Sequence, residues 1–157
     1  MANFDKAIDK VLVNEGGYVN DSDDKGGETK FGISKRAYPN VDIKNLTTDE
    51  AKSIYKKDYW DKIKGDKIAS DEVAYEIFDT AVNMGSRTSS KLAQMVVGSY
   101  PDGFIGAKTL EKLNGVDVEL FVTKFKLAKI ARYAYLVKKN PVNKRFLFGW
   151  INRALGA

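Results

Sequence analysis

The chain has no cysteine and no histidine among its 157 residues. Without cysteine there is no disulfide, no thiol nucleophile and no Cys-based zinc site. Without histidine, neither a Ser-His-Asp triad nor a His-ligated metal centre can be built. Most metallopeptidases are excluded on these grounds, and we expect neither a metal nor a cofactor. Any acid–base chemistry falls to Asp, Glu, Tyr or Lys.

Long apolar runs are also absent. None approaches the ~18–20 residues of a membrane span, so we expect no stable membrane insertion. Residues 1–15 contain four charged side chains within their apolar pattern, namely Asp5, Lys6, Asp9 and Lys10. This stretch therefore lacks the uninterrupted apolar region of a signal peptide.

The formal net charge is +5, and the isoelectric point is near 9.2. A basic surface favours anionic partners. Nucleic acid, a membrane surface and an anionic cell wall are all compatible with it, and so is simple solubility. The lysines are spread along the chain, with small clusters at Lys56-Lys57 and Lys138-Lys139. Because no recognisable nucleic-acid-binding motif accompanies them, we expect no nucleic-acid partner.

Helical periodicity dominates the chain and predicts one α-rich domain. A first helix is predicted from an N-cap at Asn3 to Glu15, with Gly16-Gly17 as its stop. Residues 16–33 are rich in Gly and Asp and are not periodic, which predicts a structured loop or a small β-hairpin. Six more helices are predicted, in the segments 47–59, 70–84, 88–98, 104–113, 117–140 and 144–155.

Glu15 lies on the apolar face of the first helix. Phe4, Ile8, Val11 and Leu12 follow helical spacing, and at about 100° per residue Glu15 falls near the centre of the same stripe. A carboxylate in line with the core is unfavourable unless it is paired or protonated. Partial burial favours the protonated form, as in a general acid. The alternatives are a frayed helix end that turns Glu15 to solvent, or a buried salt bridge to Lys or Arg.

Three carboxylates follow within four positions, at Asp21, Asp23 and Asp24. They are compatible with a Ca²⁺ loop, with a second catalytic carboxylate, or with a solvated acidic loop. The EF-hand pattern fails, because counting from Asp21 places Gly26 at position six but Gly32 at position twelve, where a Glu is required. A metal site is therefore only weakly indicated.

A group of motifs at fixed spacing surrounds Glu15: Glu15-Gly16-Gly17-Tyr18, Asn20-Asp21, Asp24, Gly26-Gly27, Thr29 and Gly32-Ile33. This pattern resembles the N-terminal signature of glycoside hydrolase family 108. Members of that family are regarded as N-acetylmuramidases, and they include phage endolysins and proteins described as secretion activators. The resemblance implies a mainly α, lysozyme-like domain with Glu15 as the catalytic residue. The family usually has Pro in place of Ser22, for which we expect a local backbone difference and no loss of activity.

Further matches cover nearly the whole chain: Tyr59-Trp60-Asp61, Phe78-Asp79, Asn83 with Gly85, Gln94, Asp102-Gly103, Gly106, Thr109, Phe146-Leu147, Gly149-Trp150 and Arg153. The resemblance implies a single muramidase domain over residues 1–157. Within it, residues 1–86 carry the catalytic signature, and residues 87–157 form a helical, predicted peptidoglycan-binding half.

Phage-type lysozymes place a Glu, an Asp and a Thr in the order found here for Glu15, Asp24 and Thr29. Thr29 lies one residue short of the phage-type spacing. By this similarity, Glu15 protonates the leaving glycosidic oxygen. Asp24 stabilises charge at the anomeric carbon or helps to activate water, and Thr29 holds that water.

The candidate substrate-binding residues supply flexible backbone, aromatic faces or an amide. Gly26 and Gly27 let the backbone pass close to the sugar. Tyr18, Tyr59 and Trp60 are expected to stack on sugar faces. Asn83 is expected to bind an acetamido group. For each aromatic residue, a place in the core is an equal alternative.

We therefore expect a monomeric peptidoglycan hydrolase that cleaves the β-1,4 bond between N-acetylmuramic acid and N-acetylglucosamine in glycan strands. The alternatives are a lytic transglycosylase, a non-catalytic peptidoglycan-binding or secretion-accessory module, and a nucleic-acid-binding domain. The stereochemistry stays open. Without a signal peptide, we expect synthesis in the cytoplasm. Action on the periplasmic cell wall would follow release by a holin-like pore, as in phage lysis, or by dedicated secretion.

Overall fold

A computed structural model describes residues 1–20 and 27–156. These residues form seven α-helices and a three-stranded antiparallel sheet, which confirms the mainly α prediction. The helices are α1 (Phe4–Glu15), α2 (Thr48–Tyr55), α3 (Asp71–Met84), α4 (Ser86–Val96), α5 (Ala107–Asn114), α6 (Val118–Lys139) and α7 (Lys144–Leu155). The strands, in spatial order, are β1 (Val19–Asn20), β2 (Glu28–Lys30) and β3 (Ile33–Ser34). Within the described ranges, no helix has the length and apolar character needed to cross a bilayer.

Side-chain caps fix several helix starts. Asn3 accepts a hydrogen bond from the backbone of α1, and Thr47 with Glu50 forms a capping box at the start of α2, where the predicted segment 47–59 begins. The segment predicted to continue α2 to Tyr59 differs, because the helix widens into a π-helical turn over Lys56–Trp60. α4 begins at Ser86, two residues before the predicted start, because only Gly85 separates it from α3.

Trp60 lies at the centre of the core. Its ring is fully buried and packs edge-on against Phe4 and Phe78, with centroids 5.5 and 5.4 Å away. Its indole nitrogen donates to Asp66 at 2.6 Å, and the backbone of Gly65 lies directly against the ring. The prediction that Trp60 stacks on a sugar is therefore wrong, because neither ring face reaches solvent. Its apolar surface instead stabilises the packing of α1 against α3.

The segment 16–33, predicted as a structured loop or a small hairpin, contains the paired strands β1 and β2 and leads into β3. β2 and β3 form a tight hairpin. Two residues connect the strands, Phe31 at φ +52° and Gly32 at φ +76°, as in a type I′ turn. A left-handed φ is strained for a bulky residue such as Phe31. The Phe31 carbonyl oxygen accepts a 2.7 Å hydrogen bond from the buried Tyr55 hydroxyl. α2 thus holds this turn in place.

The last helix packs against α6 through aromatic rings. Trp150 stacks on Tyr133 with centroids 5.2 Å apart, and Phe146 stacks on Trp150 at 5.8 Å. Trp150 and Arg153 are three residues apart, so they lie on the same side of α7. Docking of α7 therefore brings Arg153 to the end of α1, where Glu15 lies.

Candidate active site

Glu15 is the last residue of α1, and Gly16 at φ +74° ends the helix after it. The Glu15 side chain is 20% exposed, and its Oε1 accepts a 3.0 Å hydrogen bond from Nη2 of Arg153. The helix is intact up to this residue. Of the arrangements left open by the sequence, the structure therefore shows the salt bridge.

The carboxylate of Glu15 also lies against the hairpin turn. A Cβ atom on Gly32 would be 2.8 Å from Oε2 of Glu15 and 2.6 Å from the hydroxyl oxygen of Tyr55. Only a residue without a side chain leaves room for this contact. Burial, reinforced by the nearby charge of Glu15, raises the pKa of the Tyr55 hydroxyl well above its usual range. Tyr55 therefore stays neutral beside Glu15.

Arg153 joins Glu15 to a second carboxylate, Asp79 of α3. The same Nη2 atom lies 3.2 Å from Oδ1 of Asp79, whose side chain is 11% exposed. Burial lowers the pKa of Arg153, but the charge of Asp79 and the hydrogen bond to Glu15 outweigh it and raise that pKa overall. We refer to Glu15, Arg153 and Asp79 as the carboxylate–guanidinium cluster. It holds two acidic groups and one cation.

A cavity of about 610 Å³ lies beside this cluster. Arg153 and Asp79 form part of its wall, whereas Glu15 does not. The rest of the wall comes from α1, α3, α7 and the residue after α7, as Lys10, Val13, Asn14, Tyr75, Gly149, Asn152 and Gly156. Arg153 and Asp79 are therefore accessible from this cavity.

Of the three candidates Asp24, Gly26 and Thr29, the structure describes only Thr29. Asp24 and Gly26 lie outside the described residues. Thr29 is the central residue of β2, paired with Val19 on one side and with Ser34 on the other.

Two further candidates flank this hairpin. Gly27 has φ +67°, a backbone conformation that favours glycine. Tyr18 is 41% exposed, and its hydroxyl donates to Oε1 of Glu28 at 3.0 Å. The exposed ring of Tyr18 is therefore held at the edge of the sheet.

Tyr59 lies in the π-helical turn that follows α2, and Asn83 lies near the end of α3. The half-buried ring of Tyr59 packs against that of Tyr55, with centroids 5.6 Å apart. Asn83 is exposed, and its side-chain oxygen accepts a 3.3 Å hydrogen bond from the Tyr133 hydroxyl. Asn83 lies four residues after Asp79 and hence on the same side of α3.

The roles of Arg153, Asp79 and Tyr55 were missed by sequence reasoning. Asp79 and Arg153 occur in the quoted motifs without any role, and Tyr55 has no role within the predicted helical segment 47–59. Arg153 and Glu15 are 138 residues apart, so no local pattern reports their contact. The only local signal was Glu15 itself, since a carboxylate on an apolar stripe requires a partner.

The turn that begins at Pro101 is held by a buried glutamine. The side-chain oxygen of Gln94 accepts a 2.8 Å hydrogen bond from the backbone of Gly103. Its nitrogen donates to Oδ1 of Asp102 at 2.8 Å and to the carbonyl oxygen of Phe104 at 3.0 Å. These bonds fix the turn while the Phe104 side chain stays 68% exposed. The turn is therefore a rigid support for an exposed aromatic ring.

Comparison with known proteins gives two family matches that meet at the end of α3. The model described as Glycosyl hydrolase 108 matches residues 8–85, and that described as Predicted Peptidoglycan domain matches residues 81–155. A solved structure of SagA from Brucella abortus is similar over 96% of this chain and 88% of its own, with a TM-score of 0.79 and 33% identity. The chain belongs to the glycosyl hydrolase 108 family. No curated protein matches it.

Membership of this family confirms the resemblance seen in the sequence, and with it the lysozyme-like fold. This glycosyl hydrolase 108 protein is a glycoside hydrolase. Its second matched segment supports peptidoglycan as its substrate partner. The carboxylate–guanidinium cluster draws Glu15 and Asp79 from the first matched segment and Arg153 from the second.

Proposed function

We propose that this enzyme hydrolyses the β-1,4 bond between N-acetylmuramic acid and N-acetylglucosamine, with Glu15 as the general acid. The observation that carries the proposal is the place of Glu15. Its carboxylate is partly buried at the end of α1, between the hairpin turn and α7. A carboxyl group in such surroundings can exchange a proton with a substrate that lies over it.

In the proposed reaction, protonated Glu15 donates its proton to the glycosidic oxygen as the bond from that oxygen to the anomeric carbon breaks. Water supplies a hydroxyl group to the anomeric carbon, and the remaining proton of that water leaves to a base. Glu15 is then a carboxylate again, next to the guanidinium of Arg153 at 3.0 Å. Arg153 therefore stabilises the charge that the reaction places on Glu15.

Asp24 and Thr29 are proposed to act on the other side of the bond. Asp24 would stabilise positive charge at the anomeric carbon or activate the water that Thr29 holds. The support for Thr29 is its central position in β2, in the sheet whose turn lies against Glu15. The proposal for Asp24 rests on its order and spacing in the chain alone.

The remaining candidates are proposed to bind the glycan. Gly26 and Gly27 would allow close approach of the backbone, and the exposed ring of Tyr18 would stack on a sugar. Tyr59 offers a partly exposed ring beside Tyr55. The side-chain nitrogen of Asn83 is the donor that the carbonyl oxygen of an acetamido group requires.

We also propose that the whole chain acts as one muramidase unit. Residues 1–86 would supply the acid, and residues 87–157 would bind the wall. The contact between Glu15 and Arg153, which joins the two matched segments, supports this division of labour. A monomeric state, and action in the periplasm after release from the cytoplasm, stay predictions of the sequence.

Product analysis tests the bond and the reaction type. Purified Gram-negative sacculi are digested with the protein, reduced with borohydride and analysed by mass spectrometry. We expect fragments that end in reduced N-acetylmuramic acid, with the mass of the hydrolysed strand. Fragments that borohydride cannot reduce, each lighter by one water than the hydrolysis product before its reduction, would identify a lytic transglycosylase. Fragments that end in reduced N-acetylglucosamine would place the cut at the other bond. Binding to sacculi without release of fragments would contradict the proposal altogether.

A further inference from the structure

The salt bridge of Glu15 raises a question of charge. A general acid must carry its proton before the bond breaks, yet a neighbouring guanidinium favours the ionised carboxylate. If Glu15 were the only acidic partner of Arg153, protonation of Glu15 would leave a partly buried cation without a counter-charge. Arg153 is 28% exposed, so that cost would be substantial.

Asp79 removes this cost. Its Oδ1 lies 3.2 Å from the same Nη2 atom that contacts Glu15. The cluster of two carboxylates and one cation carries a net charge of −1 when both acids are ionised. When Glu15 takes up a proton, the cluster becomes neutral and Arg153 keeps Asp79 as its partner. Burial is the largest single influence on the pKa of Arg153 and lowers it, but Asp79 and Glu15 together raise it by more. Arg153 therefore stays charged.

In the described part of the chain, the titratable groups packed around the cluster are mostly neutral hydroxyls. From α6, Tyr133 lies near Arg153 and Asp79, and burial raises the pKa of its hydroxyl, so this group is neutral. From α2, the neutral hydroxyl of Tyr55 lies near Glu15. From α3, Tyr75 lies near Asp79; burial, followed by the charges of Asp79 and Glu76, raises the pKa of Tyr75 to about 12, so this group is also neutral. From α1, Lys10 lines the adjacent cavity with its ammonium group over the Tyr75 ring, 4.9 Å from the centroid.

We propose that Asp79 is a positioning residue that acts through Arg153. It holds the guanidinium so that Glu15 can take up and release its proton while Arg153 stays paired. This inference rests on the proposed function, because it assumes that Glu15 is the acid. It assigns a role to a buried carboxylate that is ion-paired with the Arg153 guanidinium.

The test is the pH dependence of sacculus solubilisation by the full-length protein and its Asp79→Asn variant. In the variant, Arg153 retains only Glu15 as a counter-charge, so the protonated form of Glu15 becomes less favourable. The loss of activity on the alkaline side should therefore move to lower pH. At pH 7 we expect kcat to fall about tenfold or more, the size of effect that a charge within about 4–6 Å has on a protonation equilibrium. KM should change little. Asp79→Glu should restore much of the wild-type profile.

Glu76→Gln provides a matched control. Glu76 lies on the same helix as Asp79 and forms a buried ion pair with Lys129 at 2.9 Å, and neither side chain is hydrogen-bonded to Glu15, Arg153 or Asp79. Its loss should lower the melting temperature and leave the pH profile unchanged. This control separates a general loss of stability from a specific change in the proton on Glu15.

The outcomes are distinguishable. A wild type that solubilises nothing at any pH contradicts the proposed function and with it this inference. An active wild type whose pH profile coincides with that of folded Asp79→Asn contradicts the role of Asp79 alone. If Asp79→Asn does not fold, Arg153→Gln replaces it as the test. With no cation between Glu15 and Asp79, the alkaline loss of activity should move to higher pH, and an unchanged profile overturns the inference.

Discussion

At the scale of single residues, Gly32 fits the site through two separate properties. Its φ of +76° favours glycine, and its missing side chain makes room for the Glu15 carboxylate and the Tyr55 hydroxyl. We predict that Gly32→Ala lowers the free energy of unfolding by roughly 1–2 kcal/mol through the backbone alone. Displacement of Glu15 should also reduce the rate of sacculus clearing, on the order of 10²-fold. Urea unfolding and turbidity measurements report the two effects.

Gly98 provides the control for this prediction. It has a similar φ of +66°, but a Cβ atom there would meet no other atom within 4 Å. Gly98→Ala should cost comparable stability and leave the clearing rate near the wild-type value at a temperature where both variants are folded. Equal rate losses in the two variants would show that the contact between Gly32 and Glu15 has no catalytic importance.

How far single residues could be predicted depends on how local their partners are. Glu15 was found because its conflict with an apolar stripe is visible within four turns of helix. The partner in its salt bridge was left open as Lys or Arg, because Arg153 and Asp79 meet Glu15 only through tertiary packing. Trp60 was misjudged for a related reason. An exposed and a buried aromatic residue look alike in sequence, and burial depends on its contacts with Phe4 and Phe78.

At the scale of secondary-structure elements, α7 determines where Arg153 lies. The rings of Trp150 and Phe146 stack in series with Tyr133 of α6 and so join α7 to that helix. We predict that Trp150→Ala destabilises the protein by roughly 3 kcal/mol, the lower end of the range for large aromatic truncations, because Trp150 is only partly buried. Activity should fall as well, because α7 no longer holds Arg153 against Glu15. Urea unfolding and sacculus clearing test both expectations.

Phe148 lies on the same helix but is 77% exposed. Phe148→Ala should therefore change stability by no more than about 0.5 kcal/mol and leave clearing unchanged. If Trp150→Ala cleared sacculi at the wild-type rate while folded, the docking of α7 would have no part in the reaction.

Element boundaries were predicted well where a cap or a stop residue is local. Asn3 caps α1 as predicted, and Thr47 and Asp117, the first residues of two predicted segments, cap α2 and α6. The π-helical turn after Tyr55 and the type I′ turn at Phe31 were not predicted in detail. The turn sequence Phe31-Gly32 differs from the Asn-Gly or Asp-Gly pair that usually marks a type I′ turn. The strained backbone of Phe31 is instead supported by a hydrogen bond from the Tyr55 hydroxyl to its carbonyl oxygen.

At the scale of the whole molecule, the two family segments share one polar cluster. The first segment supplies both carboxylates, and the second supplies the guanidinium that joins them. This arrangement explains why the sequence indicated the family and Glu15 as the acid, but not the contacts of Arg153 with Glu15 and Asp79. Composition and periodicity report the class of fold, and the motifs report the family. The assembly of the cluster follows from how α1, α3 and α7 pack, which no single segment encodes.

The central claim is that Glu15 carries the cleavage of the glycan, and one substitution tests it directly. We would add wild type, Glu15→Gln and Asp9→Asn to purified Gram-negative sacculi and follow turbidity, after circular dichroism has shown equal folding. Asp9 is a control on the same helix, where it forms an exposed ion pair with Lys52 at 2.7 Å. We predict that Asp9→Asn clears the sacculi like the wild type, while Glu15→Gln loses at least the ~10²–10⁴-fold that a general acid contributes. Clearing by Glu15→Gln at the wild-type rate would contradict the claim, because another residue would then have to be the acid.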